Sequence, residues 1–461
     1  MKIVQPSVCA CAAKPRPEKK EYILKQKQND RAFTQEKGGQ KTRRAEMPLF
    51  LGNAKDAAQK QPQPKQRQGE RAQVRGAADP RRGAQAFVPA QERNDRTNAD
   101  KQGKQKKFKK GGRGKNPVKI IFLGGVGEIG KNMTAIEYGN DIIIIDAGLT
   151  FPDEELPGID LVIPDISYLV ANKNKVRGLL ITHGHEDHVG GIPYLLKEIN
   201  MPVYGTKLTL ALADNKLREH RLNKVQMNTV KPGDKVKLGC FTVEFINVNH
   251  SIAGSVALCI DTPNGKIFHS GDFKIDLTPV AGEPIDLSRI AEIGREGVKL
   301  LLCESTNVER PGYTMSETVV GTTLDHLFSE NANRRIIVAT FASNVHRLQQ
   351  IIDLAAKYRR KVALSGRSML NVVDAATKIG ELTIPEGVLI DVEKIKNYFD
   401  REIVIVSTGS QGEPMSALTR MASGEFNKVT IGPNDAIIIS ASPIPGNEKM
   451  VYKVINNLYR K

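Results

Sequence analysis

Residues Thr182 to Gly191 read Thr-His-Gly-His-Glu-Asp-His-Val-Gly-Gly, which puts His183, His185, Asp187 and His188 within six positions. Imidazole and carboxylate are hard-to-borderline donors, suited to zinc or manganese. Four such groups are too many for one tetrahedral ion that must keep a position open for water, so the loop reads as shared by two ions. More donors are then needed, and two stand at strand ends: His250 after the run Phe241 to Asn249, and Asp272 in His-Ser-Gly-Asp after Lys266 to Phe268. Taken alone, a histidine such as His250 is more often a satisfied core or surface residue, and only the neighbouring loop motif promotes it.

Such donors converge only if strands deliver them to one place. The motif follows directly on the apolar strand Val176 to Thr182, and Gly184 is expected to allow a tight turn. Other β-branched runs are Val118 to Leu123, Met133 to Tyr138, Asp141 to Asp146, Phe241 to Val248, Ser255 to Asp261, Lys266 to Ser270 and Lys299 to Cys303. Helical periodicity marks Asp160 to Val170, Val189 to Ile199 and Leu208 to His220. Beyond about Arg310 strands and helices alternate: Arg335 to Phe341, then Val345 to Tyr358; Lys361 to Leu364, then Ser368 to Ile379; Glu402 to Ser407, then Pro414 to Ala422; Ala436 to Ala441, then Lys449 to Tyr459. That rhythm predicts βαβ units and a parallel sheet.

Four loops rich in small and polar residues follow predicted strands: Glu304 to Asn307, Ser343 to Arg347, Ser365 to Ser368 and Ser407 to Gln411. Strand ends and helix N-termini of this kind present backbone N–H groups to phosphates, so one ligand-binding edge is expected. Arg347 and Arg367 would add charge-assisted contacts. Ordinary helix capping is the competing explanation for any single loop.

The motif HxHxDH, His250 in Val-Asn-His-Ser and Asp272 in His-Ser-Gly-Asp-Phe resemble the metal motifs of the metallo-β-lactamase fold. The blocks Glu304-Ser-Thr-Asn, Phe341-Ala-Ser-Asn-Val-His-Arg and Ser407-Thr-Gly-Ser-Gln-Gly-Glu-Pro narrow the resemblance to the ribonuclease J family, of the β-CASP branch, from about Val118 to Lys461. It implies an α/β chain: an αββα-type metallo-β-lactamase domain (117–315) with an inserted parallel α/β β-CASP domain (316–461), preceded by a disordered basic tail (1–116). His183, His185 and His250 would hold one zinc, Asp187 and His188 the second, and Asp272 would bridge them, with Asp187 and His188 in catalytic roles. Manganese is the alternative metal. RNA would contact Ser305, Asn307, Phe341, Ser343, Asn344, His346, Arg347, Ser365, Arg367 and Ser410. The implied activity is hydrolysis of RNA phosphodiesters, 5′-to-3′ and internally, in the cytoplasm. Partners would be RNA and, for a full-length protein, further copies of itself, a paralogue or other RNA-decay proteins.

The family's later histidine motifs have no counterpart here, because all eight histidines lie at or before His346. The returning half of the metallo-β-lactamase domain is also absent, so Lys461 is expected to end a truncated chain. Two rival readings are a hydrolase of small thioesters or lactams, and an RNA-binding fragment that does not turn over.

Charge divides the 461 residues unevenly. Lys and Arg number 68 against 51 Asp and Glu, a net +17, yet residues 1–116 alone carry 30 basic and 11 acidic side chains, leaving −2 for the remainder. This first quarter has only five aromatics and no apolar period, so it cannot offset its ordering entropy. Its run Lys104 to Lys115 suits nucleic acid by counterion release, or simply solubilises the chain. No apolar stretch reaches the roughly 18 residues of a membrane helix. Cys240, Cys259 and Cys303 sit singly in apolar runs, which predicts buried thiols and a reducing compartment. Gly125-Val-Gly-Glu-Ile-Gly130 matches a dinucleotide fingerprint, but strands rather than a helix follow it, so a hairpin turn is expected. The acidic stretch Asp153, Glu154, Glu155 and Asp160 could hold an additional calcium or magnesium ion, although a solvated loop is the commoner outcome.

Overall fold

The computed structural model describes residues 116–152, 156–444 and 446–461, together with the backbone of one short strand, Lys2–Val4. The expected tail otherwise lies outside the described residues. The strands are β1 (Lys2–Val4), β2 (Lys119–Gly124), β3 (Met133–Tyr138), β4 (Asp141–Ile145), β5 (Val176–Leu180), β6 (Val203–Gly205), β7 (Met227–Thr229), β8 (Lys235–Leu238), β9 (Phe241–Asn247), β10 (Val256–Thr262), β11 (Gly265–His269) and β12 (Val298–Leu302). Helices α1 (Ser167–Ala171), α2 (Glu186–Val189), α3 (Ile192–Glu198), α4 (Lys207–Glu219) and α5 (Leu287–Glu296) connect them.

Strands β1 to β7 form one sheet in sequence order, and β12-β11-β10-β9-β8 form a second. Alternation along each strand builds the layers. Ile143 and Ile145 of β4 point between the sheets, where they meet Phe241, Val243 and Phe245 of β9 and Leu258 and Ile260 of β10. Ile142 and Ile144 point the other way, onto Leu195 and Leu196 of α3 and Ala213 and Leu217 of α4. The outer face of the second sheet packs Ala257 and Cys259 against Ile293 of α5. The result is an αββα sandwich with residues of β4 and β10 buried on both faces, each large side chain contributing roughly 1.5–3 kcal/mol.

The rest of the chain adds α6 (Glu317–Glu330), β13 (Ile336–Ala339), α7 (Val345–Lys357), β14 (Lys361–Ser365), α8 (Arg367–Ile379), β15 (Leu389–Ile390), β16 (Ile403–Ser407), α9 (Ala417–Ser423), β17 (Ala436–Ile439) and α10 (Glu448–Leu458). Its five strands, in the order β15-β14-β16-β13-β17, are all parallel. Helices α6, α7 and α8 cover one face and α9 and α10 the other. Leu208 and Leu212 of α4, with Ile252 and Ala253, belong to the same apolar cluster as α6 to α8. The sandwich and the parallel sheet therefore share core.

Several expectations change. The helix predicted from Asp160 shrinks to Ser167–Ala171, because Pro164 disfavours helix before it and Asp165 accepts the Ser167 N–H at 2.9 Å. The Val189 to Ile199 helix is broken into α2 and α3 at Gly190 and Gly191, and Pro414 to Ala422 starts only at Ala417. Three short strands, β6 to β8, and helices α5 and α6 carry no clear signal in the sequence. In α6 the run Val319, Val320, Gly321, Thr322, Thr323 is poor in helix formers. Cys259 is buried as expected, but Cys240 is half-buried and Cys303 exposed, since β12 is an edge strand.

Candidate metal centre

The cluster is assembled by the ends of β4, β5, β9 and β11. Asp146 follows β4 with φ 59°, and its backbone N–H donates to Leu180 O at 2.9 Å, which ties the two strand ends together. Its carboxylate accepts from the Thr182 backbone N–H and hydroxyl, each at 2.8 Å, and meets His188 Nδ1 at 2.8 Å. His188 is thereby turned so that Nε2 faces inward. The turn following β4 also passes against the motif: a Cβ on Gly148 would fall 1.6 Å from Asp187 O. Gly184 is crowded by side-chain ends and is not held by a left-handed turn. Its φ is not positive, but a Cβ there would lie 2.8 Å from Leu212 Cδ1.

All six predicted donors come together. His185 Nδ1 lies 3.1 Å from both His183 Nε2 and His250 Nε2. Asp272 faces both ways, Oδ2 toward His250 Nε2 at 3.8 Å and Oδ1 toward His188 Nε2 at 3.6 Å. Asp187 Oδ2 is 3.6 Å from the same His188 nitrogen. One proton cannot serve three ring nitrogens aimed at one point. Tetrahedral ligands about 2.0–2.1 Å from an ion stand about 3.3 Å apart, so the donor set fits a divalent cation.

Electrostatics prepares His183, His185 and His250 for that role, whereas in the metal-free protein it favours a proton on His188 that an ion would have to displace. Burial, reinforced by the neighbouring imidazoles, holds His183 well below the usual histidine range and pushes His250 down to about 3. Burial also lowers His185, against the pull of Asp187. These rings stay neutral, with lone pairs free to ligate. Burial would lower His188 too, but the charges of Asp146 and Asp187 outweigh it and raise it well above its ordinary value. Asp272 is held ionised, its burial being overcome by the hydrogen bond and charge of His188.

Sequence reasoning missed two residues here. Asp146 ends an apolar run just as Asp272 follows one, and that parallel was the available signal. Asn132, next to the glycine loop, places Nδ2 3.1 Å from His188 Nε2 and 3.3 Å from Asp187 Oδ2. Gly125, Gly127 and Gly130 all have positive φ in the turn between antiparallel β2 and β3. The glycine motif is thus a hairpin turn, as expected, and it delivers Asn132 to the cluster.

The expected RNA-contact residues are less uniform. Glu304 to Asn307 follows β12, in the second sandwich sheet, so the four loops do not share one edge; only three end strands of the parallel sheet. Ser305, Asn307 and Arg367 are exposed, and Phe341, Ser343 and His346 are half-buried. Burial lowers the His346 pKa. Asn344, Ser365 and Ser410 are buried, Asn344 accepting from the Arg347 backbone N–H as the cap of α7. Ser365 Oγ has no hydrogen-bond partner among the described residues. Arg347 is not a free cation: Nε and Nη2 hold the Glu317 carboxylate at 2.7–3.1 Å, and Nη1 donates to Ser440 O at 2.6 Å. Asp160 is exposed, while Asp153, Glu154 and Glu155 lie outside the described residues. Among the described residues, no helix is long and apolar enough to cross a membrane.

Comparison with known proteins agrees with this architecture. Residues 126–289 match the metallo-beta-lactamase superfamily and residues 333–458 match the beta-CASP domain of ribonuclease J. Over 349 residues the chain is 49% identical to a Ribonuclease J of Helicobacter pylori, covering 75% of this chain and 50% of that protein. It is 47% identical over 344 residues to the Ribonuclease J of a Synechocystis strain, covering 74% and 54%, and 47% identical over the same length to Ribonuclease J 1 of Streptococcus pyogenes, covering 74% and 61%. The chain thus spans about half the length of the curated relatives it matches. Through these two matched domains, the chain belongs to the ribonuclease J family of the metallo-β-lactamase superfamily.

Proposed function

We propose that this chain is the catalytic portion of a metal-dependent ribonuclease that hydrolyses RNA phosphodiester bonds, 5′-to-3′ and internally. The observation that carries the reading is the convergence of His183, His185 and His250 in one group and of His183, His188 and Asp272 in a second, with Asp187 Oδ2 3.6 Å from His188 Nε2. His183, His185 and His250 would hold one zinc ion and Asp187 and His188 another, with Asp272 between them and manganese as the substitute. When bound, the ions would supply Lewis acidity toward the phosphate oxygens and lower the pKa of a water from 15.7 to about 7.

The chain's own residues do the rest. Asp146 occupies the outer nitrogen of His188, so the inner one can ligate. Asn132 restrains Asp187 through Nδ2, which also reaches the Asp187 carbonyl at 3.2 Å. Phe341, Ser343 and His346 at the end of β13, with Arg367 at the start of α8, offer half-buried or exposed groups to a polyanion. Residues 117–315 and 316–461 serve as the two domains, and the setting is cytoplasmic RNA, with self-association of the full-length protein.

The test is metal content together with cleavage of 5′-monophosphorylated RNA by the His185→Ala variant. Wild-type protein should hold two ions per chain, and the variant should lose metal and turnover together. Undiminished cleavage by the variant would overturn the mechanism, and RNA binding without any turnover in the wild type would favour a binding role.

A further inference from the structure

Building on the ribonuclease reading above, we propose that Glu317 is a positioning residue: with Lys274, Asp276 and Arg347 it forms a buried clasp that holds the β-CASP loop 341–347 in register with the segments bearing His250 and Asp272. Two cations and two anions meet at the seam between the sandwich and the parallel sheet. Arg347 grips Glu317 through Nε and Nη2 at 2.7–3.1 Å, and Lys274 Nζ stands 3.5 Å from Glu317 Oε1 and 3.2 Å from Asp276 Oδ2. No side chain of the four is more than 12% exposed.

Burying four charges is a poor way to gain stability, since desolvation can exceed the mutual attraction and apolar replacements are often neutral. What such a cluster supplies is geometry, because a bidentate Arg–carboxylate pair fixes distance and orientation together. The clasp is also connected at both ends. Lys274 lies two residues beyond Asp272, and its backbone N–H donates to Asn249 O at 2.7 Å, in the bridge beside His250. Arg347 closes the loop that begins at Phe341 and donates to Ser440 O beyond β17. Glu317 itself opens α6, and Asp276 faces its backbone N–H at 3.4 Å. A shift at Glu317 therefore moves the loop against the metal-side segments without touching any of the six donors.

Glu317→Gln removes the charge and keeps the shape. Expected results are unchanged metal content and turnover of bis(p-nitrophenyl) phosphate within about twofold, because so small a diester does not reach the loop. With RNA, kcat should fall about 10–100-fold at nearly constant KM, the size of effect expected from a misplacement of about 1 Å. Hydrogen exchange at residues 341–347 should quicken while that at 176–199 stays the same, and Glu317→Asp should recover part of the lost kcat. Unaltered RNA turnover and exchange overturn the proposal, and so does loss of metal or an equal fall with both diesters, either of which marks a merely structural role. If wild-type protein cleaves neither substrate, the ribonuclease reading fails on its own, and exchange at 341–347 still decides the clasp. Should Glu317→Gln fail to fold, the paired Glu317→Met and Arg347→Met variant keeps the remaining charges balanced and is read the same way.

Discussion

The sandwich and the parallel sheet both carry their polar groups at strand ends, but they use opposite chemistry there. In the sandwich, β4, β5, β9 and β11 lead into imidazoles and carboxylates aimed at one another, at nitrogen separations of 3.1 Å. In the parallel sheet, β13, β14 and β16 lead into Ser, Asn, Thr and Gly; of the two arginines nearby, Arg347 is paired with Glu317 and Arg367 is exposed. One half concentrates lone-pair donors that fit a cation, and the other ends its strands mostly in small neutral groups. The lesson is that lone pairs are aimed at one another where a cation can relieve them, whereas the charge of Arg347 finds a partner of opposite sign.

Perturbing each half sharpens this contrast, beginning with the largest effect. Gly148→Ala drives a methyl into Asp187 O, so the chain should lose about 3 kcal/mol or more in urea unfolding. A loss under about 1 kcal/mol would show that the β4 turn can move away from the metal loop. Asp146→Ala leaves His188 without its outer partner and should weaken metal affinity about 10–100-fold, read by competition with a chromophoric chelator. Unchanged affinity would mean that Thr182 and Asp187 orient the ring unaided.

Acid acts on the metal-side histidines as well. His250 is pushed down to about 3 from an ordinary 6.5, so between those values the unfolded chain binds a proton that the metal-free folded chain refuses. Stability of the metal-free protein should therefore fall as pH drops through that window, and bound metal should deepen the dependence by competing with protons. Equal urea midpoints at pH 7 and pH 5 would contradict it. The smallest effect belongs to the parallel sheet: Gly380, the left-handed cap of α8 with φ 80°, has open space around it, so Gly380→Ala should cost only about 1 kcal/mol of backbone strain.

The same contrast explains what was legible in the sequence. Ligands packed into six positions announce themselves, and β-branched runs buried on both faces, such as Ile142 to Ile145, read plainly as strands. Arg347 misled because nothing local reveals that Glu317, 30 residues earlier, takes its guanidinium. Asp146 was hidden for the same reason: its partners Thr182 and His188 are 36 and 42 residues away. Helix α6 was missed because packing of Leu324 and Phe328, not propensity, decides its conformation.

The core shared by α4, Ile252 and Ala253 with helices α6 to α8 carries a thermodynamic consequence. Because the apolar cluster runs unbroken from one to the other at that point, melting of one must expose side chains of the other, and the pair should unfold as one cooperative unit. Any ion bound by His183, His185 and His250 then raises the melting temperature of the parallel sheet as well, by RT ln(1 + [L]/Kd) for the whole unit. Heat capacity traces with and without metal should accordingly show one shifted peak instead of one moving and one standing still.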